Sequence, residues 1–310
     1  MPKVVALGGG HGLAATLAAL RQITQEITAI VTVADNGGSS GRLREEFPIF
    51  PPGDLRMALT ALCADDEWGR TWAQVLQHRF DSDGELKGHA MGNLLLASMW
   101  NAGDDPVDAL DRVGQLLKVI GRVLPMAAVA LDIEGTFNTS TGRIVVRGQN
   151  EVATAKGHIQ SLRIIPEDPP ARTEALAAIA DAQWITMGPG SWFSSVIPHL
   201  LVPAQLDALK NSHAKKILIL NLDASSASQG EEFAGSSPEQ HLEFFHHYAP
   251  GLTVDYCLVD QSVVRDEASL RTAASTLGSE IVIADIRKAP GSIHHDDQKL
   301  ALHLGHIFSR

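Results

Sequence analysis

Asp35-Asn36-Gly37-Gly38-Ser39-Ser40-Gly41 is the stretch of this chain best suited to chemistry. Apolar residues lead into it from Ile27 to Val33, and Arg42 and Arg44 follow. A carboxylate and an amide at a strand end, then glycines and hydroxyls, make a loop that can close around anionic oxygens. The arginines add fixed positive charge for phosphate. Asp35 can also hold a magnesium ion, which takes one or two carboxylates together with phosphate oxygens. A flexible surface turn with a solvated basic face is the plainer alternative.

Two more glycine turns follow apolar runs. Gly8-Gly9-Gly10-His11-Gly12 ends the run KVVAL, and Gly188-Pro189-Gly190-Ser191 ends the run from Gln183 to Met187. Gly10-His11-Gly12-Leu13-Ala14-Ala15 fits the relaxed G-x-G-x-x-A dinucleotide turn, with Asp35 about where a ribose-binding acid sits, roughly twenty residues on. Its physics is that backbone N–H groups at a helix start hold phosphate. A glycine kept for close helix–sheet packing is the alternative. Asp54 is a candidate to activate a hydroxyl or support a metal, so any catalysis is expected from Asp35 and Asp54. It is equally placed to cap the helix after Pro51-Pro52. Asn93 is either a helix cap or a ligand amide. No G-x-x-x-x-G-K-[ST] run and no G-x-S-x-G elbow occurs, which excludes a P-loop nucleotidase and an elbow-type serine hydrolase. An NAD-dependent oxidoreductase rests on Gly10–Ala15 and Asp35 alone.

The elements that must position these groups alternate. Strands are expected at 3–7, 27–33, 183–187, 215–221, 254–259 and 280–286. Helices are expected at 13–21, 54–64, 68–80, 94–100, 108–119, 169–180, 239–248, 267–276 and 296–308, with Asp296 as cap of the last. This pace predicts a three-layer, mostly parallel, Rossmann-like α/β sheet in one domain over 1–310. A β-rich subdomain near 124–166 interrupts it, with antiparallel segments at 126–134, 142–148 and 158–165. Asp223 to Ser237 is expected to be a long loop acting as a flap. In such sheets ligands sit beyond the carboxyl ends of the strands, so the turns at 8–12, 35–41 and 188–191 should share one edge.

Composition limits the partners. The 310 residues carry a net charge of −11, which argues against general nucleic-acid binding. Two cysteines in apolar contexts suggest buried thiols in a reducing compartment. No apolar run approaches a membrane span, and the N-terminus has no signal-peptide pattern; a cytoplasmic location is expected. The thirteen histidines show no metal motif. His241, His246 and His247, and separately His303 and His306, are expected on solvated helix faces, while His294-His295-Asp296-Asp297 precedes the last helix.

Six ordered segments carry a resemblance: GGGHGLAATL at 8–17, ITAIVTVADNGGSSGRLR at 27–44, PPGDLRMAL at 51–59, LKGHAMGNLLLA at 86–97, ADAQWITMGPGSWFSSVIPHLLV at 180–202 and HDDQKLA at 295–301. Together they resemble the gluconeogenesis factor family, YvcK-type, of the CofD-like superfamily. The resemblance implies a cytoplasmic factor that binds a nucleotide sugar, foremost UDP-N-acetylglucosamine, and is needed for cell shape during gluconeogenic growth. It requires no cofactor. A serine/threonine kinase is an implied partner, and a homo-oligomer is expected. The related 2-phospho-L-lactate transferases imply the alternative, a magnesium-dependent transfer of a phosphorus-containing group. By motif position, ligand contact is carried to Gly10, His11, Gly12, Asp35, Asn36, Gly37, Ser39, Asn93, Gly188, Gly190, Ser191 and His295. The chain departs from the family pattern at His11, where threonine is usual, and at Asp35-Asn36, where the family has two aspartates. A longer segment with Gln229-Gly230-Glu231 replaces the loop expected after Asn221. The missing second carboxylate weakens the magnesium-dependent alternative.

Overall fold

Aliphatic runs without alternation mark strands buried on both faces, and the computed structural model, which describes residues 1–222 and 237–310, builds its main sheet from such runs. In chain order the strands are β1 (Val4–Gly8), β2 (Ile27–Val31), β3 (Arg122–Pro125), β4 (Asp132–Thr139), β5 (Gly142–Arg147), β6 (His158–Ile165), β7 (Trp184–Met187), β8 (Lys215–Ile219), β9 (Tyr256–Asp260) and β10 (Glu280–Ala284). Among the described residues the main sheet has seven strands, in the order β10-β9-β8-β7-β1-β2-β3. Every pairing in it is parallel. The expected α/β fold is therefore observed. Helix Gly10–Leu20 packs on helices Pro52–Ala61 and Asp297–Phe308, while Thr173–Asp181 packs on Pro203–Asn211 as a separate group.

The order fixes where a ligand belongs. The chain runs outward from β1 through β2 to β3, then returns to β7 on the other side of β1. Chain order reverses between β1 and β7, whose Leu7 and Met187 lie side by side. Beyond the carboxyl ends of these strands the outgoing chains diverge and leave a crevice.

The antiparallel excursion is a sheet of order β5-β4-β6. It shares the main core: Ile133, Phe137, Leu162 and Ile164 are buried in one cluster with the central strands. Phe137 meets Phe193 edge-on at 6.4 Å, and the Leu162 N–H donates to the Tyr248 hydroxyl at 2.6 Å.

Several helix boundaries differ from expectation, each for a local reason. The expected loop at 35–41 is shorter, because helix Gly38–Glu46 begins inside it. The Asp35 carboxylate accepts the Gly37 N–H at 2.9 Å and so turns the chain directly into that helix. Asp54 is not a cap: Pro52 starts the helix, Pro51 precedes it, and the helix ends at Ala61. Proline at the first helical position sets φ and has no N–H to satisfy. Asn93 lies within the first turn of helix Met91–Asn101, which follows Ala90, so it is not a cap either. Asp105 accepts the Val107 N–H and starts helix Pro106–Leu117 earlier than expected. The short helix Gln149–Thr154 gave no usable signal. Asp296 does cap the last helix, accepting the Gln298 and Lys299 N–H groups. His241 is buried rather than solvated, stacked on Trp192 at 5.0 Å. The expected flap, with Gln229-Gly230-Glu231, lies outside the described residues except for Ser237, which caps helix Pro238–Tyr248. No helix among the described residues is long and apolar enough to cross a membrane.

Candidate functional site

The crevice at the strand-order reversal is a cavity of about 390 Å³. Five segments that follow strands of the main sheet line it: Gly9–Gly12 after β1, Asp35 and Gly37 after β2, Pro189–Ser195 after β7, Asn221 and Leu222 after β8, and Ile293–His295 after β10. Asp54 closes the floor, and Gln149, Asn150 and Ala153 form one wall. Of the residues singled out in the sequence, Gly10, His11, Gly12, Asp35, Gly37, Asp54, Gly190, Ser191 and His295 line the cavity. Asn36, Ser39, Asn93 and Gly188 stand behind its lining.

The glycine turns touch each other. A Cβ on Gly12 would lie 2.1 Å from the Pro189 carbonyl oxygen, so only glycine lets the turns after β1 and β7 close up. Helix Gly10–Leu20 starts from Gly9 and helix Gly38–Glu46 from Gly37, and neither start has a side-chain cap. Uncapped starts leave backbone N–H groups and the positive end of the helix dipole for an anion.

Asp54 is the chemically unusual group. It is buried, and its carboxylate accepts from the Thr32 hydroxyl at 3.1 Å. Burial first, and neighbouring Asp35 second, push its pKa up to about 7; Thr32, the Gly10 N–H and the Arg56 guanidinium oppose the shift. Burial disfavours the carboxylate, and a second negative charge disfavours it further. A divalent cation between the two carboxylates would relieve both costs. Among the described residues no group of three or more His, Cys, Asp or Glu could hold a metal. Asp35 and Asp54 therefore fit magnesium in the way phosphate-linked sites use it, with ligand oxygens and water completing the shell.

The expectation that Arg42 and Arg44 clamp phosphate is not met. Arg42 donates to the Glu85 and Lys87 carbonyls, at 3.2 and 2.6 Å. Arg44 pairs with Asp132 at 2.9 Å, fastening the Asp35 loop to β4. Both guanidiniums serve structure, and neither lines the cavity.

The residues behind the lining hold it in place. Asn36 accepts the Asn150 N–H at 3.0 Å and donates to Glu151 at 2.7 Å. The Ser39 hydroxyl meets His89 Nδ1 at 2.9 Å and accepts from the Asn93 amide at 3.0 Å, which ties the loop after β2 to helix Met91–Asn101. The Gly188 carbonyl accepts from Thr16 at 3.2 Å. Two supports escaped the sequence reading. Asn221 accepts the Gly190 N–H at 2.9 Å and donates back to the Gly190 carbonyl at 2.7 Å. Its place at the end of the KKILILN run, like that of Asp35 after β2, was the available signal. Buried His199 reaches the Gly8 carbonyl with Nε2 at 3.2 Å while the Gln205 amide meets its Nδ1 at 2.9 Å. Burial lowers its pKa to about 4, so it is the neutral ring that supports the turn. No local pattern marks that role, since Gly8 is distant in sequence.

His295 enters the cavity from the loop after β10. Burial, above all, lowers its pKa to about 4, and its buried Nε2 has no hydrogen-bond partner. Asp260 anchors this loop by accepting the Ile286 and Arg287 N–H groups at 2.9 and 2.8 Å.

Comparison with known proteins agrees with this architecture. The family profile described as 2-phospho-L-lactate transferase CofD matches residues 4–295. The chain is 49% identical over 310 residues to the putative gluconeogenesis factor of Mycobacterium leprae, covering 98% of this chain and 85% of that one. It is 38% identical over 287 residues to the gluconeogenesis factor of Halalkalibacterium halodurans, covering 92% of this chain and 85% of that one. A crystal structure of a UPF0052-family protein from Bacillus halodurans superposes with a TM-score of 0.84 at 34% identity, covering 97% of each chain.

Proposed function

The chain belongs to the CofD family, as a member of its gluconeogenesis-factor group, and from that footing we propose that it is a cytoplasmic nucleotide-sugar-binding factor serving cell morphogenesis during gluconeogenic growth. UDP-N-acetylglucosamine is the ligand of first choice. The observation that carries this reading is the convergence of the turns after β1, β2 and β7 on one cavity at the strand-order reversal. That cavity presents uncapped helix starts to an anion, which is what a diphosphate requires. Its volume falls within the range of small-ligand sites, roughly 300–1,000 Å³.

Calorimetry with UDP-N-acetylglucosamine, with and without magnesium, tests the proposal. Micromolar binding, with the ligand recovered intact, is the expected result. Asp35→Ala should abolish that binding with little loss of thermal stability, because the residue sits at a loop end and not in the core. Absence of heat with the wild-type chain, or unchanged affinity in the variant, would overturn the assignment.

One observation favours a second reading. A buried carboxyl group with a pKa raised to about 7 beside another carboxylate is poised to accept a proton from a hydroxyl. In a magnesium-dependent transferase of phosphorus-containing groups, Asp54 would be the base and Asp35 the metal ligand. Incubation with magnesium, a deazaflavin acceptor and activated phospholactate should then consume both substrates; no turnover would dispose of this alternative.

A further inference from the structure

Helix Gln149–Thr154 is the part of the cavity that the main sheet does not supply. It lies between β5 and β6, yet Gln149, Asn150 and Ala153 face the same space as the glycine turns. We infer that Gln149 and Asn150 read the neutral, hydrogen-bonding end of the ligand and set its specificity, while the glycine turns hold the phosphates. This rests on the nucleotide-sugar reading above and assigns a division of labour within that site.

The wall is built to stay in place. Its helix is tied to the loop after β2 through Asn36, which accepts the Asn150 N–H at 3.0 Å and donates to Glu151 at 2.7 Å. On the opposite side the Gln149 amide reaches the Ser194 carbonyl at 3.5 Å, in the segment after β7. Buried Val152 fixes the helix in the core. Gly148 allows the close approach: its φ is +113°, and a Cβ there would lie 2.4 Å from the Asn36 amide nitrogen. The helix thus bridges the two loops that frame the crevice. Asn36, where the family pattern has a second aspartate, is a working part of that bridge. An aspartate there would face Glu151 charge against charge.

The chemistry of the wall differs from the rest of the cavity. It presents two carboxamides and no positive charge, so it offers paired donors and acceptors and not compensation for an anion. The Asn150 carboxamide makes no protein hydrogen bond among the described residues; only its backbone N–H serves the bridge. Such groups suit a pyrimidine edge, or the hydroxyls and acetamide of a sugar. Truncating both side chains leaves the bridge through Asn36 intact, which makes the experiment clean.

The test is calorimetry on the full chain, wild type and the Gln149→Ala/Asn150→Ala double variant, with UDP-N-acetylglucosamine, UDP and CDP. Loss of two neutral hydrogen bonds should cost about tenfold in affinity. A reduction of the preference for UDP-N-acetylglucosamine over UDP by about that factor assigns the wall to the sugar. A like reduction of the preference for UDP over CDP assigns it to the base. In either case the melting temperature should match that of the wild type. Equal weakening of all three ligands, no change in any, or a wild type that binds all three alike would overturn the inference. A wild type that binds none of them would instead refute the nucleotide reading itself, and this inference with it.

Discussion

Asp54 carries a cost that grows with pH. An unfolded aspartate titrates near 3.8, and the folded one near 7. Between those values the folded chain binds more protons than the unfolded one, so stability falls as pH climbs through that window. The contribution is fully present below about pH 4 and lost above about pH 7. Asp54→Asn should therefore raise the melting temperature of the ligand-free protein, by roughly 1–4 kcal/mol at pH 8 and far less at pH 5. Magnesium should stabilise the wild type at pH 8 and not the variant. Thermal scans at the two pH values check both statements, and an equal effect at pH 5 and pH 8 would refute the placement of this titration. Sequence inspection singles out Asp54, but its burial against Thr32 and its proximity to Asp35 arise from elements separated along the chain. The arginines teach the converse: Arg42 and Arg44 have the right type and spacing for phosphate, and the fold gives them to carbonyls and Asp132 instead.

Short glycine turns and the helices they start form the working parts at the next scale. A Cβ on Gly12 would drive into the Pro189 carbonyl, a backbone atom that cannot rotate away. Gly12→Ala should accordingly part the turns after β1 and β7 and weaken nucleotide-sugar binding at least tenfold. The melting temperature should also drop by an amount equivalent to about 1–3 kcal/mol, as overpacking usually costs. Calorimetry and a thermal scan on the same preparation measure both, and wild-type affinity would show that the contact does not shape the site. These turns were legible because glycine after an apolar run has few other uses. The supports were not. Asn221 and His199 act across the sheet on Gly190 and Gly8, and a local pattern does not record which backbone groups a side chain will reach.

Strand order and the attachment of the antiparallel sheet belong to the whole molecule. Phe137 of β4 is buried in the common core against Phe193, in the segment that lines the cavity. Phe137→Ala should cost about 3–5 kcal/mol, and unfolding should remain a single transition. A separate early transition would show instead that the antiparallel sheet folds on its own. The sequence by itself determined the alternation of strands and helices, the β-rich interruption, the shared edge of the three turns and the family. It did so because strand and helix periods and the uses of glycine are local properties of a chain. Tertiary structure alone decided that β7 returns beside β1, that helix Gln149–Thr154 walls the cavity, and that Asn36 latches it there. Those contacts join segments far apart in sequence, and their geometry is set by packing over the whole sheet.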